Sequence, residues 1–356
     1  MNIAIDARFY GTGHTGLGRY TTNVLKYLPN HLPGQTLQVL LRDAAFDHFP
    51  SFNNVVKIHA EIPHYSLSEQ LTLPKILKNI QADLLYTLHF NAPILSKIPK
   101  IVTVHDLIKS HFTGLDTTTH ARWLYTLKRL GYNTVLSKTL STASAIIVPT
   151  NTVKTDILSL FPQVVSRSIY AIPEAPDAVF RSPTTTSTTH NLPSKYILFV
   201  GNAYPHKNLD ILLKAATNLK DYDLVIVAKR TPFLTKVLAP YDPSHIHVLS
   251  ELDDKQLVTL YRHASVFVTP SLMEGYGLVG LESLMVGTPV VASNIPVYRE
   301  VYGDKVSYFD PSSSCDLIEK IRLALKTKSK TFKFDRTWDD VAKDIAGVIH
   351  ARSASL

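Results

Sequence analysis

The residues best suited to chemistry share one stretch, PSLMEGYGLVGLESLMVGTP at positions 270–289, where two carboxylates, a glycine-rich turn and a helix start coincide. Glu274 lies in the turn and Glu282 inside the helical part. A helix N-terminus offers free N–H groups and about half a positive charge, which suits a phosphate or a cluster of sugar hydroxyls. A carboxylate roughly a turn and a half inside such a helix can accept hydrogen bonds from vicinal hydroxyls, as the ribose-binding acid of dinucleotide folds does. Taken alone, Glu274 reads equally as a solvated loop acid and Glu282 as a helix-surface residue. Two details favour a site. Glu282 sits between Leu281 and Leu284 in a segment apolar nearly all round, and Gly275, Gly277 and Gly280 permit a close approach to the backbone.

The surrounding elements follow from pattern. ASVFVT at 264–269 is the β-branched and aromatic run of a buried parallel strand; apolar spacing predicts a helix over 278–285, closed by Gly287 and Pro289. At the N-terminus, NIAID (2–6) predicts a strand, followed by the glycines 11, 13, 16 and 18 and then a helical period from Leu17 to Pro29. The G-x-G-x-x-G spacing at Gly11, Gly13 and Gly16 is a weak dinucleotide fingerprint, because the acid that should end a second strand is offered only by Asp43, beyond Arg42. Further strands are expected at 37–41, 55–59, 84–87, 101–105, 145–148 and 168–172, with helices between several of them, the alternation of a doubly wound α/β domain. Ligands bind at the strand ends of such sheets, which singles out His89, Asn91, His105 and Asp106, with His89, Asn91 and Asp106 as acceptor-side candidates. The helical region 122–140 carries Arg122, Lys128, Arg129 and Lys138 and can rest on anionic lipid heads or simply be a solvated basic face.

RSPTTTSTTHNLP near 181–193 is polar and aperiodic, a linker. Beyond it, strands at 196–200, 223–228, 245–249, 266–269, 290–292 and 306–309 repeat the alternation. Lys207 falls in the loop after the first of them, where a cation reaches a diphosphate near a helix start, and Lys229 and Arg230 follow the second strand on the same edge. Asp221 and Asp223 spell D-x-D but precede their strand, so no metal is expected. The expected domains are 1–180, a linker at 181–194, 195–335, and a docking helix in 336–356.

Composition bounds the rest. The chain has 356 residues, 45% hydrophobic and 19% charged, which suits two globular domains. The single cysteine, Cys315, excludes an internal disulfide and a multi-cysteine metal site, and fits a reducing cytoplasm. MNIAID reads as a strand rather than a signal peptide, and no apolar run reaches the ~18 residues that span a bilayer. A net charge of +8 points to anionic company. No nucleic-acid-binding motif is present, so a nucleotide or a phospholipid surface is the better partner.

These residues resemble the GT-B-fold glycosyltransferases, specifically the large retaining family known as family 4, over nearly the whole chain. The most specific likeness is SLMEGYGLVGLESLMVGTPVVAS at 271–293, similar to that family's Glu-x7-Glu signature, supported by GNAYPHKN at 201–208, IAIDARFYGTGHTGLGRY near the N-terminus and VTVHD at 102–106. The resemblance implies two Rossmann-like domains facing across a cleft, the N-terminal one holding the acceptor and the C-terminal one a nucleotide-diphosphate sugar, with the last helix crossing back. It implies that Glu282 binds the ribose hydroxyls, that Glu274 and the amides of Tyr276, Gly277 and Leu278 hold the donor sugar, that Lys207 pairs with the diphosphate, that Gly16 closes over it and that His105 contacts the sugar. Catalytic roles thus fall to Glu274, His105 and Lys207, with Gly201, Asn202 and Gly275 also lining the donor. The family usually has an arginine where this chain has Asn202, a departure that would weaken leaving-group stabilisation unless Lys229 or Arg230 replaces it. The implied activity is retaining, metal-independent hexosyl transfer without a cofactor, mannose from GDP-mannose being favoured because IDARFY with TGLGRY looks most like bacterial mannosyltransferases, ahead of UDP-glucose or UDP-N-acetylglucosamine. The acceptor would be a glycan or lipid-linked glycan, with peripheral contact at the inner face of the plasma membrane; oligomeric state is left open. The alternative classes are a dinucleotide-dependent oxidoreductase and a non-catalytic basic binding protein.

Overall fold

The β-branched runs of this chain form two all-parallel sheets in a computed structural model that describes residues 1–11, 15–114, 118, 121–181, 192–327 and 332–354. The chain divides into two units: Met1–Leu107, His120–Glu174 and Arg336–Leu356 make the first, Ile108–Thr119 and Ala175–Asp335 the second.

Unit 1 holds strands β1 (Asn2–Asp6), β2 (Thr36–Leu41), β3 (Val55–His59), β4 (Leu84–Thr87), β5 (Lys100–Thr103), β6 (Ala145–Val148) and β7 (Ile169–Ala171), in the order β3-β2-β1-β4-β5-β6-β7. Its helices are α1 (Thr15–Tyr27), α2 (Asp43–Phe46), α3 (Leu67–Asn79), α5 (Arg122–Thr142), α6 (Asn151–Leu160) and α13 (Trp338–Ser353), while α4 (Ile108–His111) is assigned to unit 2. Strand β5 stops at Thr103, so His105 stands two residues beyond the strand rather than closing it. The helix α13 starts on a capping box, Thr337 with Asp340, and lies along α1, where the rings of Tyr20 and Trp338 meet edge-on at 5.7 Å.

Unit 2 holds β8 (Tyr196–Val200), β9 (Asp223–Val227), β10 (Ile246–Leu249), β11 (Val266–Thr269), β12 (Val290–Ser293) and β13 (Ser307–Phe309), in the order β10-β9-β8-β11-β12-β13. Its further helices are α7 (Leu209–Ala216), α8 (Pro232–Leu238), α9 (Asp254–His263), α10 (Leu278–Met285), α11 (Pro296–Tyr302) and α12 (Ser314–Lys326). This is the doubly wound order, in which the chain reverses its direction of travel between β8 and β11 and ligands bind beyond the strand ends at that reversal. Two apolar layers bury the sheet, one with α7 and α12 and the other with α9, α10 and α11. The central strands β8 and β11 are buried on both faces, which is why they read as unbroken apolar runs.

Candidate functional site

Two loops leave the sheet at the reversal point of unit 2. The loop after β8 carries Gly201, Asn202, His206 and Lys207; the loop after β11 carries Ser271, Glu274, Gly275 and Gly277. They are tied together by the amide of Leu272, which donates to the carbonyl of His206 at 2.7 Å. That tie brings two distant charges together: Lys207 Nζ donates to Glu274 Oε1 at 2.5 Å. The hydroxyls of Ser271 and Tyr298 donate to the same oxygen at 2.7 and 3.3 Å. Among the described residues every donor to Glu274 reaches Oε1, so Oε2 remains for an outside hydroxyl.

Burial pushes the Glu274 carboxyl up, but the Lys207 charge and the hydrogen bonds from Lys207 and Ser271 outweigh it and hold the group below its ordinary range. The same arrangement acts oppositely on His206, which burial and the neighbouring Lys207 charge push down to about 4 against the pull of Glu274. At neutral pH the loop pair therefore presents one carboxylate, one ammonium and a neutral imidazole. Lys207 uses one N–H on Glu274 and has two more for an anion.

At Gly277 and Gly280 the close approach to the backbone is made by the protein's own side chains. Gly277 has φ +97, and a Cβ there would come within 2.5 Å of the Tyr302 hydroxyl and 2.7 Å of the Tyr298 ring. At Gly280 a Cβ would lie 2.4 Å from the Tyr302 ring. What approaches the backbone closely at Gly277 and Gly280 is thus the chain's own tyrosine pair on α11, stacked at 4.9 Å. The Tyr302 hydroxyl donates to the Gly277 carbonyl at 2.5 Å, and Thr269 lies 2.6 Å from the Tyr298 hydroxyl. These tyrosines hold the start of α10 and the Glu274 loop in one geometry. Their signal in the sequence is only the spacing of four between Tyr298 and Tyr302, which puts both on one helix face.

Glu282, within α10, is 2% exposed and accepts from the Tyr261 hydroxyl of α9 at 3.2 Å. Leu278 begins α10, and Tyr276 is buried beside it. Lys229 and Arg230 are exposed just beyond β9, next in the sheet to β8. Asn202 and Gly201 are half-buried at the end of β8. Asp223 of the D-x-D pattern opens β9 at the other edge and binds His245 and His247, both at 2.7 Å.

In unit 1 the sequence-picked residues fall into two groups. Asn91 is 7% exposed, and its amide donates to Glu69, which also receives Arg8. The Arg8 guanidinium, 2% exposed, forks onto Asp6 at 2.6 and 2.8 Å, so the buried acids of β1 and α3 are bound through an arginine that the sequence reading missed. That places Asn91 inside a buried ionic cluster rather than on an open surface. His89 is 3.2 Å from the Tyr65 hydroxyl, within a group of rings that includes Phe9 and His64, stacked at 3.7 Å. His105 Nε2 faces the Leu88 carbonyl at 2.9 Å and Nδ1 faces Glu174 at 3.4 Å. Burial lowers the His105 pKa, but the Glu174 contact and the Leu88 carbonyl outweigh it, and the net shift is upward. Both ring nitrogens have partners in the chain, so a bond to a sugar oxygen requires one of them to be exchanged. Asp106 follows it outside the strand, and Gly16 is exposed in the first turn of α1, whereas Gly13 and most of the 181–194 stretch lie outside the described residues.

Residues 184–343 match the family model of the glycosyl transferases group 1. The chain is 25% identical over 253 residues to the O-antigen chain mannosyltransferase RfbU of Salmonella typhimurium, covering 69% of this chain and 66% of that protein. It is 31% identical over 157 residues to the O-antigen chain mannosyltransferase B of Escherichia coli, covering 41% of this chain and 39% of the relative, so the matches span only part of these relatives' lengths. Among solved structures, sucrose-phosphate synthase from Thermosynechococcus elongatus superposes over 100% of both chains with a TM-score of 0.68 at 16% identity. That likeness shows the fold, two Rossmann-like parallel sheets of the GT-B type.

Proposed function

From a chain whose residues 184–343 match the family model of the glycosyl transferases group 1, we propose a retaining, metal-independent hexosyltransferase that moves a sugar from a nucleoside-diphosphate donor to a glycan or lipid-linked glycan. The observation that carries the reading is the Lys207–Glu274 pair at the strand reversal of unit 2, with the second carboxylate oxygen and two ammonium protons left for a ligand. GDP-mannose is the first donor to test, since the relatives compared are named mannosyltransferases; UDP-glucose and UDP-N-acetylglucosamine come next. The single cysteine fits a cytoplasmic setting.

In this reading Lys207 turns from Glu274 to the diphosphate and neutralises the departing phosphate, which is where charge develops as the glycosidic bond breaks. Lys229 and Arg230 supply the cation that Asn202 does not. Glu274 stays ionised and accepts a sugar hydroxyl on Oε2, while the amides of Gly277 and Leu278 at the start of α10 donate to the donor. Glu282 accepts from the ribose, exchanging the Tyr261 hydroxyl for a ribose hydroxyl. His105 and Gly16 are further donor contacts in the proposal, and His89 and Asp106 acceptor contacts.

Thermal shift against a panel of nucleotide sugars tests this, because a ligand at a hundred times its dissociation constant stabilises by ~2.7 kcal/mol. Lys207→Ala and Glu282→Ala should abolish the shift for nucleotide and nucleotide sugar alike, whereas Glu274→Gln should remove only the extra shift that the sugar adds. If Lys207→Ala and Glu282→Ala bind every nucleotide sugar as the parent does, the site is misassigned.

A further inference from the structure

His105 is held between a carbonyl and a carboxyl. Its side chain is 15% exposed, and Nε2 lies 2.9 Å from the carbonyl of Leu88, the first residue past β4. A carbonyl has no proton to give, so Nε2 carries one and donates it. In a neutral imidazole that leaves a bare lone pair on Nδ1. Nδ1 faces Glu174 Oε1 at 3.4 Å, and an ionised carboxylate there would repel the lone pair. The contact is satisfied only when a second proton sits between ring and carboxyl, as imidazolium against carboxylate or imidazole against carboxylic acid.

The surroundings choose the first form. Burial opposes the charge on the ring, yet Glu174, the Leu88 carbonyl and the neighbouring carboxylate of Asp106 together outweigh it. From α1 the Tyr20 phenol meets the ring edge-on at 4.5 Å, and burial, then Tyr86 of β4 and Glu174, push that phenol up and keep it neutral. Glu174 is itself fixed. It is 8% exposed and is the last residue of unit 1 before the chain passes into unit 2. Just ahead of it the amide of Ile172 donates to the Val148 carbonyl at 2.8 Å, and the Pro173 carbonyl accepts from Arg336 Nε at 2.7 Å. The backbone that aims Glu174 is thus tied to β6 on one side and to the lead-in of α13 on the other.

We propose that Glu174 is a positioning residue for His105: it holds the ring as an imidazolium with Nε2 locked on Leu88, and leaves Nδ1–H, on the longer of the two contacts, to be shared with an oxygen of the donor sugar. The inference rests on the transferase reading above, in which His105 touches that sugar. A charged N–H makes a stronger bond to an oxygen than a neutral one does. Without the carboxylate, Nδ1 at neutral pH is a bare acceptor, and with Nε2 engaged the ring has no N–H to offer.

Magnetic resonance of histidine nitrogens reads this directly. In the full chain with labelled histidine, and with the His105 signals assigned by their loss in His105→Gln, both ring nitrogens should show protonated shifts at pH 7, and the titration midpoint should lie above the ordinary histidine value of about 6.5. In Glu174→Gln the midpoint should fall by at least about one pH unit, and Glu174→Asp should recover most of that, while circular dichroism stays at the parent's. Turnover with the nucleotide sugar that the thermal-shift panel selects is the second readout. The parent's kcat/KM should fall as pH rises through the His105 midpoint. In Glu174→Gln this alkaline limb should move down with the ring, a loss that approaches ~tenfold for each pH unit of fall above both midpoints and vanishes below them. A neutral His105 at pH 7 in the parent, a midpoint that Glu174→Gln leaves in place, or an activity loss of equal size at every pH overturns the proposal. The nitrogen spectra need no donor, so a chain that binds no nucleotide sugar would sink the transferase reading while the His105 titration still decides whether Glu174 holds the imidazolium.

Discussion

The substitution Gly280→Ala tests most sharply how the Glu274 loop is held. Alanine in a helix interior gains about 1 kcal/mol over glycine when space is available. Here it is not. The added carbon would stand 2.4 Å from both Cζ and the hydroxyl oxygen of Tyr302 and 2.9 Å from Cε1, and that ring is 1% exposed and stacked on Tyr298. Overpacking a core costs ~1–3 kcal/mol, and three atoms of that side chain within 3 Å put this site in the upper part of that range, about 2–3 kcal/mol, so the net destabilisation should be about 1–2 kcal/mol. For a unit of this size that lowers Tm by roughly 2–8 °C. Thermal and urea unfolding measure it, and nucleotide-sugar affinity should fall as well, because Tyr302 carries the bond to the Gly277 carbonyl. Tyr302→Leu removes the ring, so in that background the same alanine should cost nothing. Equal destabilisation in both backgrounds, or none in the parent, would refute the account of why Gly280 is glycine.

Other outcomes follow from single features. His206 is held neutral, its pKa pushed down to about 4 by burial and Lys207, so it stabilises the fold fully above the unfolded value near 6.5 and loses that contribution as pH falls below it. The urea midpoint should drop between pH 7 and 5 by the equivalent of about 2 kcal/mol, and His206→Phe should flatten the profile. Arg8→Met strands Asp6 and Glu69 in the interior and should cost ~3–5 kcal/mol in unfolding free energy. That cost should be smaller at pH 5 than at pH 8, because burial already raises the Glu69 carboxyl toward its neutral form. Gly347→Ala, exposed inside α13 with nothing within 4 Å of the new carbon, should stabilise by about 0.5–1 kcal/mol in the same assay.

Much of the scaffold could be read directly, because burial on both faces writes a strand as a plain apolar run. Val266–Thr269 and Leu278–Met285 fall where the pattern placed them, and Gly287 and Pro289 mark the end of α10. The pairing of Lys207 with Glu274 was readable as two loops on one sheet edge, since the doubly wound order puts them there. What escaped was every partner chosen across the fold. Arg8 binds Glu69 of a different element, and no local period records that contact. The glycines of the turn announced a close approach but not by what, and only packing shows it to be Tyr298 and Tyr302.

The two acids of the 270–289 stretch are physically unlike, and the difference bears on selectivity. Glu282 is buried between α9 and α10, so on the proposed function it accepts from a ribose hydroxyl only where that hydroxyl replaces Tyr261. Glu274 stands at the loop edge, ionised, sharing Lys207 with whatever anion arrives. A bare nucleoside diphosphate that takes Lys207 leaves Glu274 facing phosphate charge with its ammonium partner withdrawn. A sugar on the same diphosphate brings hydroxyls that donate to Oε2 and offset that repulsion. On the proposed function the pair would favour the loaded donor over the spent nucleotide, through one carboxylate whose position is set by Ser271, Tyr298 and the glycines that let Tyr302 in.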